Sequence, residues 1–249
     1  KNQNNILPLS TTQSVALIGP YANAIMLGAR LLSQGLCDVV VAGGTDSLCQ
    51  YTIDGFRSLM ILDSQPCRPF DESRSGLNLG EGAAFVVLTK DARNPLCYIG
   101  GYGNRCDAYH QTASSDDGEG AFLAMSEALS LSGLKASDIQ YVNAHGTGTP
   151  NNDYSESQAL RRVFGENIPE VSSTKAFTGH TTSASGSIET VMCILAMLHD
   201  FTPANLGWKS PVEGGIVPTS GHIGVKLDNV MCNSFGFGGN DSSLLLARP

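Results

Sequence analysis

The sequence predicts an α/β layered fold, and three observations carry that prediction. Short β-rich apolar runs alternate with segments of helical period. Glycine-bearing loops follow several of those runs, where α/β proteins tend to place chemistry. The 249 residues suffice for one large domain or two fused halves with an ample core.

The elements can be taken in order. Ala22 to Gln34 ("ANAIMLGARLLSQ") is apolar almost all round, the pattern of a helix buried between layers. "DVVVAGG" (38–44) reads as a buried strand ending on two glycines, with "AAFVVL" (83–88) and "CYIGGYG" (97–103) as further strands. From about Gly118 to Leu131 the period is helical, with Phe122, Met125 and Leu129 on one face and acidic residues at its start. "DIQYVNA" (138–144) is a strand that runs into "HGTGTP" (145–150). "EVSSTK" (170–175) is another, leading to the loop "AFTGHTTSASGS". The following helix is expected to bury Ile188, Val191, Leu195 and Leu198. The closing strands are "NVMCNSF" (229–235) and "SSLLLA" (242–247), joined by "GFGGND".

Composition narrows the function. A formal charge of −8 with few arginine-rich runs argues against a nucleic-acid surface. No apolar run approaches the roughly 18 residues that span a bilayer, and no signal peptide opens the chain. The chain begins at Lys1 rather than Met, so it is expected to be a piece of something longer. The seven cysteines (37, 49, 67, 97, 106, 193 and 232) are odd in number and lack CxxC spacing. That usage suits a reducing cytoplasm, with the thiols buried and structural.

Three glycine-bearing loops bring His145, His180 and Phe237 to strand ends, so a shared active-site floor is expected. Lys175 lies five residues before His180, and Asp153 and Glu156 follow His145 on the next helical turns. A lysine held by a carboxylate can fix and polarise a neighbouring imidazole. Two neutral imidazoles donating toward one carbonyl oxygen stabilise an enolate as an oxyanion hole does. Thr147 and Thr149 alternate with glycine, so both hydroxyls can point to one side. They suit either an amide-rich arm such as pantetheine or a side-chain-to-backbone bond that stiffens the loop.

"VNAHGTGTPNNDYSE", "SSTKAFTGH" and "NSFGFGGND" resemble the C-terminal half of type II β-ketoacyl-acyl-carrier-protein synthases, members of the thiolase superfamily. "VVVAGGTDSL", "PCRPFDESRSGLNLGEGAA" and "DAYHQTASSDDGEG" match the same family in the same order, so the resemblance covers about residues 22–249. It implies a thiolase-like fold of two similar halves in five α/β layers, usually dimeric, here with most of the N-terminal half missing. The expected division is an unrelated or divergent segment (1–21), the end of the N-terminal half (22–92) and the C-terminal half (93–249). It also implies decarboxylative Claisen chemistry, in which a cysteine takes an acyl chain and malonyl on a carrier protein supplies the attacking carbanion. His145 and His180 then form the decarboxylation and oxyanion pair, and Lys175 with Glu156 the supporting ion pair, with Asp153 nearby. Thr147 and Thr149 contact pantetheine, and Phe237 is the gate of the "GFGG" loop. No metal or separate cofactor is implied, because phosphopantetheine arrives on the acyl carrier protein. The implied partners are that carrier and a second subunit, as homodimer or as heterodimer with a ketosynthase.

The sequence departs from the family where the nucleophile should stand. The cysteine elbow falls at Ile18 in "VALIGPYA", which has no thiol. A cysteine there would sit at a helix N-terminus, which favours thiolate. Cys232 is the cysteine nearest an active-site loop. The stretch "KNQNNILPLSTTQSVALIGPYA" resembles a family-3 glycoside hydrolase segment, which suggests a junction near Tyr21–Ala22, but it brings none of that family's catalytic carboxylates.

Three readings follow: a condensing-enzyme chain that keeps malonyl handling, a non-catalytic partner like a chain-length factor, and an inactive truncated fragment. In the last, losing several hundred Å² of apolar cover removes about 10 kcal/mol, a whole domain's typical stability. The "ANAIMLGARLL" helix and "DVVVAGG" strand would then be left uncovered.

Overall fold

The computed structural model describes residues 15–18 and 24–249. Most of the hydrolase-like segment and the junction near Tyr21–Ala22 lie outside the described residues.

Two sheets organise the chain. The first has three strands, β1 (Val15–Ile18), β2 (Val39–Asp46) and β3 (Gly82–Thr89), with β2 central, parallel to β1 and antiparallel to β3. Valines and alanines fill β2 and β3, as β-branched side chains pack well on a pleated surface. Helix α1 (Ala24–Ser33) enters before β2, and α2 (Gln50–Ser58) follows it.

The second sheet has five strands in the order β4-β10-β9-β5-β6. Its members are β4 (Tyr98–Cys106), β5 (Tyr141–Asn143), β6 (Glu170–Ser172), β9 (Asn229–Gly236) and β10 (Asn240–Ala247). β4, β10 and β9 run antiparallel to their neighbours, while β9, β5 and β6 are parallel. A small ribbon, β7 (Phe201–Thr202) and β8 (His222–Ile223), lies apart. The remaining helices are α3 (Glu119–Ser132), α4 (Pro150–Phe164), α5 (Lys175–Thr178) and α6 (Ser185–His199).

Two apolar cores explain the layering. On one face of the five-stranded sheet, Met125 and Ala128 of α3 and Leu160 of α4 pack against Val142, Met231 and Leu245. On the other, Ile25 and Met26 of α1 and Ala196 and Met197 of α6 are held between Val230 and Leu244 of that sheet and Val40 and Ala42 of the smaller one. The described residues thus form four layers, helix–sheet–helix–sheet, rather than five. Among the described residues no helix covers the outer face of β3, and Phe85 and Val87 are 56% and 40% exposed there.

The structure corrects several expectations. α1 is not buried all round: Leu27 is exposed while Ile25, Met26 and Leu32 are buried. α6 buries its narrow, partly polar face, Ser185, Glu189, Cys193 and Ala196, and leaves Leu195 and Leu198 exposed. It lies close to its neighbours, so small residues face inward, and apolar spacing pointed to the wrong side. Uncovered apolar surface is also found on β3 rather than on β2, whose Val39, Val40 and Ala42 are buried. The cysteines are all free, but only Cys37, Cys67, Cys193 and Cys232 are buried; Cys49 and Cys106 are exposed.

Candidate active site

The loop after β5 is shaped by one carboxylate. Glu156, buried on α4, accepts the backbone N–H of His145 (2.9 Å) and of Gly146 (2.8 Å), one on each oxygen. The Asn233 amide donates to it as well, at 3.2 Å. Burial pushes the Glu156 carboxyl up to about 7, against the pull of those three donors. One turn earlier on α4, Asp153 accepts from Gly148 N–H (3.1 Å) and Phe70 N–H (2.7 Å), with Arg74 Nε 3.5 Å away. Gly148 has φ +80°, and a Cβ there would meet Cys67 Sγ and Gly76 O at 2.8 Å, so the close turn requires glycine.

Lys175 is buried at the start of α5 and uses its three ammonium protons on three acceptors. They are His145 O (2.6 Å), His145 Nδ1 (3.3 Å) and a carboxylate oxygen of Glu189 on α6. The supporting ion pair is therefore Lys175–Glu189 and not Lys175–Glu156. Glu156 is consumed by loop N–H groups, and the lysine reaches across to α6 instead. Glu189 was missed in the sequence, although it stands alone as an acid in the apolar run "SIETVM".

Because an ammonium cannot accept a hydrogen bond, His145 Nδ1 must be the acceptor and its proton must lie on Nε2. His180 reaches the same state by another route, since its Nδ1 accepts the Thr182 N–H at 3.2 Å. Both rings are thus neutral Nε2–H donors. Their centroids lie 5.3 Å apart with planes at 82°. Burial first, then the Lys175 ammonium, then His180, holds His145 well below the ordinary imidazole range. Burial and Lys175 bring His180 down to about 3.

Two rings close the outer side. Phe237 is half exposed in the β9–β10 turn, with Gly238 and Gly239 at positive φ behind it. It stacks on Phe56 of α2 at 6.0 Å, and Phe56 meets His180 edge-on at 6.3 Å. Phe56 was not anticipated, because α2, which buries no residue, was not read as an element from the sequence. Phe235 packs 5.7 Å from His145. The Thr147 and Thr149 hydroxyls lie 2.8 Å apart and bond to each other.

Ile18 ends β1 opposite Ala42; its side chain lies outside the described residues. Cys232 lines a small cavity with Ile25, Met26, Thr190 and Ser234, in the α1–α6 layer.

A buried and a partly buried Nε2–H donor, on rings whose centroids lie 5.3 Å apart, suit an anionic oxygen developing on a thioester or similar carbonyl. Comparison with known proteins sharpens this. The N-terminal domain of β-ketoacyl synthases matches residues 22–94, and their C-terminal domain matches residues 96–209. The chain belongs to the β-ketoacyl synthase family. The resemblance of residues 1–22 to a glycoside hydrolase segment finds no support in these matches. Among curated relatives, this chain is 37% identical over 239 residues to the 3-oxoacyl-[acyl-carrier-protein] synthase 2 of Vibrio cholerae, covering 88% of this chain and 58% of the relative. It is 38% identical over 245 residues to the synthase 2 of Rhizobium meliloti, covering 91% and 58%. It therefore spans under two thirds of the relatives' length. Among solved structures, a β-ketoacyl synthase from Burkholderia phymatum superposes with a TM-score of 0.84 at 31% identity, over 92% of this chain and 59% of that one. A ketosynthase from Xenorhabdus doucetiae, solved in complex with its chain length factor, gives 0.82 at 37% identity, over 92% and 57%. These neighbours establish a thiolase-like layered fold for a chain of partial length.

Proposed function

We propose that this chain carries the malonyl-handling part of a β-ketoacyl-acyl-carrier-protein synthase, in fatty acid or polyketide synthesis. The observation that carries the reading is the pair of histidines held by separate devices as Nε2–H donors. With malonyl thioester bound, the bond from the α-carbon to the carboxyl carbon breaks and carbon dioxide leaves. The electron pair moves onto the thioester oxygen, where His145 and His180 donate, and the enolate is reprotonated at carbon by water. Acetyl thioester is the product when no acyl acceptor is present. With isoleucine at position 18, condensation needs a nucleophile that this position does not supply.

Malonyl would arrive on the phosphopantetheine of an acyl carrier protein, with no separate cofactor. Thr147 and Thr149 lie on the loop best suited to meet its amides. Seven free cysteines favour a cytoplasmic setting. The test is carbon dioxide release from malonyl-carrier protein, measured against the His180→Ala variant. Release no greater than the variant's would sink the reading.

A second reading has one observation behind it. Ile18 in the nucleophile position fits a non-catalytic subunit paired with a complete ketosynthase, as in the neighbours solved with chain length factors. Retention of His145, Lys175, Glu189 and His180 weighs against it. Co-elution with a complete ketosynthase, without carbon dioxide release from this chain, would favour it.

A further inference from the structure

His180 has no lysine at its Nδ1. Its tautomer depends on one backbone N–H, that of Thr182, and Thr182 has φ +41°, a value unfavourable for a β-branched residue. With the chain on both sides held, relaxation to negative φ rotates the 181–182 peptide plane and turns the Thr182 N–H away. One side chain opposes this. Asp46, the last residue of β2, accepts from the Thr182 hydroxyl and from the Ser183 N–H (3.0 Å) with the same oxygen, Oδ2. Its other oxygen accepts the Ser47 N–H at 2.9 Å, which orients the carboxylate. The approach of β2 is close enough that a Cβ on Gly44 would lie 2.2 Å from Ser183 O.

We infer that Asp46 is a positioning residue for the oxyanion site: its carboxylate holds Thr182 in the left-handed region, so that the Thr182 N–H fixes His180 as an Nε2–H donor. Asp46 touches neither imidazole through a hydrogen bond and acts through the loop. The small sheet thereby sets the donor state of a histidine that follows β6 of the large sheet. This rests on reading His180 as an oxyanion donor, but the tautomer can be observed without any activity.

The experiment is nitrogen-15 NMR of the histidine rings in the full chain at neutral pH. Wild type should show a pyridine-type Nδ1 at both His145 and His180. In Asp46→Ala, His180 Nδ1 should move toward the pyrrole-type range while His145, held by Lys175, stays put. Asp46→Asn keeps an acceptor oxygen and should retain most of the wild-type signal. Adding Thr182→Gly to Asp46→Ala should restore it, because glycine takes φ +41° without strain. If the wrong tautomer reaches tenfold excess, decarboxylation should slow about tenfold at unchanged KM.

An unshifted His180 in Asp46→Ala overturns the proposal. So does a shift of both histidines together, which marks general loosening, or failure of Thr182→Gly to restore the signal. A selective tautomer shift in a chain that releases no carbon dioxide keeps the positioning role and removes the functional reading instead.

Discussion

Lys175 Nζ lies 3.3 Å from His145 Nδ1 while its ion pair is made with Glu189, so one ammonium ties the His145 loop to a helix of another layer. Both partners of the pair are almost wholly buried. Removing one leaves the other charged and unmatched in a medium that solvates it poorly. Lys175→Met should therefore destabilise the fold by about 3–5 kcal/mol. Denaturant unfolding of the variant beside wild type measures it. A variant within about 1 kcal/mol of wild type would show the pair to be energetically slack.

The histidines should make the fold sensitive to acid. His180 sits at about 3 when folded, against an ordinary 6.5 when unfolded. Below 6.5 the unfolded chain takes up a proton that the folded chain refuses, so stability present above that pH is lost as pH falls toward 3. The limiting slope is about 1.4 kcal/mol per pH unit, trimmed by the partial exposure of the ring. His180→Gln lacks this liability. Its stability relative to wild type should rise steadily between about pH 6.5 and about pH 4.5, as read from unfolding midpoints. Equal pH dependence in the two proteins would mean that the folded ring titrates normally. Raised carboxyls such as Glu156 act in the opposite sense, and the difference between variants cancels them.

Phe56 and Phe237 should be energetically coupled. Stacked aromatic pairs contribute about 0.5–1.5 kcal/mol beyond the area they cover. A double-mutant cycle through Phe56→Ala and Phe237→Ala reads that coupling directly. Additive losses would mean that Phe237 swings independently of α2.

The uncovered face of β3 predicts self-association. Phe85 and Val87 project from it, at 56% and 40% exposure. Replacing them by Phe85→Lys and Val87→Thr should raise the monodisperse fraction in light scattering while leaving the unfolding midpoint nearly unchanged. A large drop in that midpoint would show the two side chains packed in solution.

Much of this architecture was legible in the residues. β2 and β3 announce themselves by valine runs beside glycine, β4, β9 and β10 by short apolar stretches beside turn residues, and α3 by the spacing of Met125 and Leu129. His145, Lys175 and His180 were readable because reactive side chains stood among small residues in loops. The partner of Lys175 was not. The family resemblance pointed to Glu156, yet which acid a lysine meets depends on how α6 crosses the sheet, and no local pattern encodes that. The buried side of α6 was misread for a related reason: close packing rewards Ser185 and Ala196 over leucines. Phe56 and Asp46 escaped notice because their roles exist only once the two sheets come together.

The bond between the hydroxyls of Thr147 and Thr149 has a consequence for traffic into the site. Two hydroxyls own two protons, and one is spent between them, which leaves one proton in need of another acceptor. A passing chain with an amide carbonyl satisfies that proton. A plain hydrocarbon strips it of water and returns nothing, at about 1–3 kcal/mol. On the proposed function, this loop therefore favours a polar tether over a bare hydrocarbon before any chemistry begins.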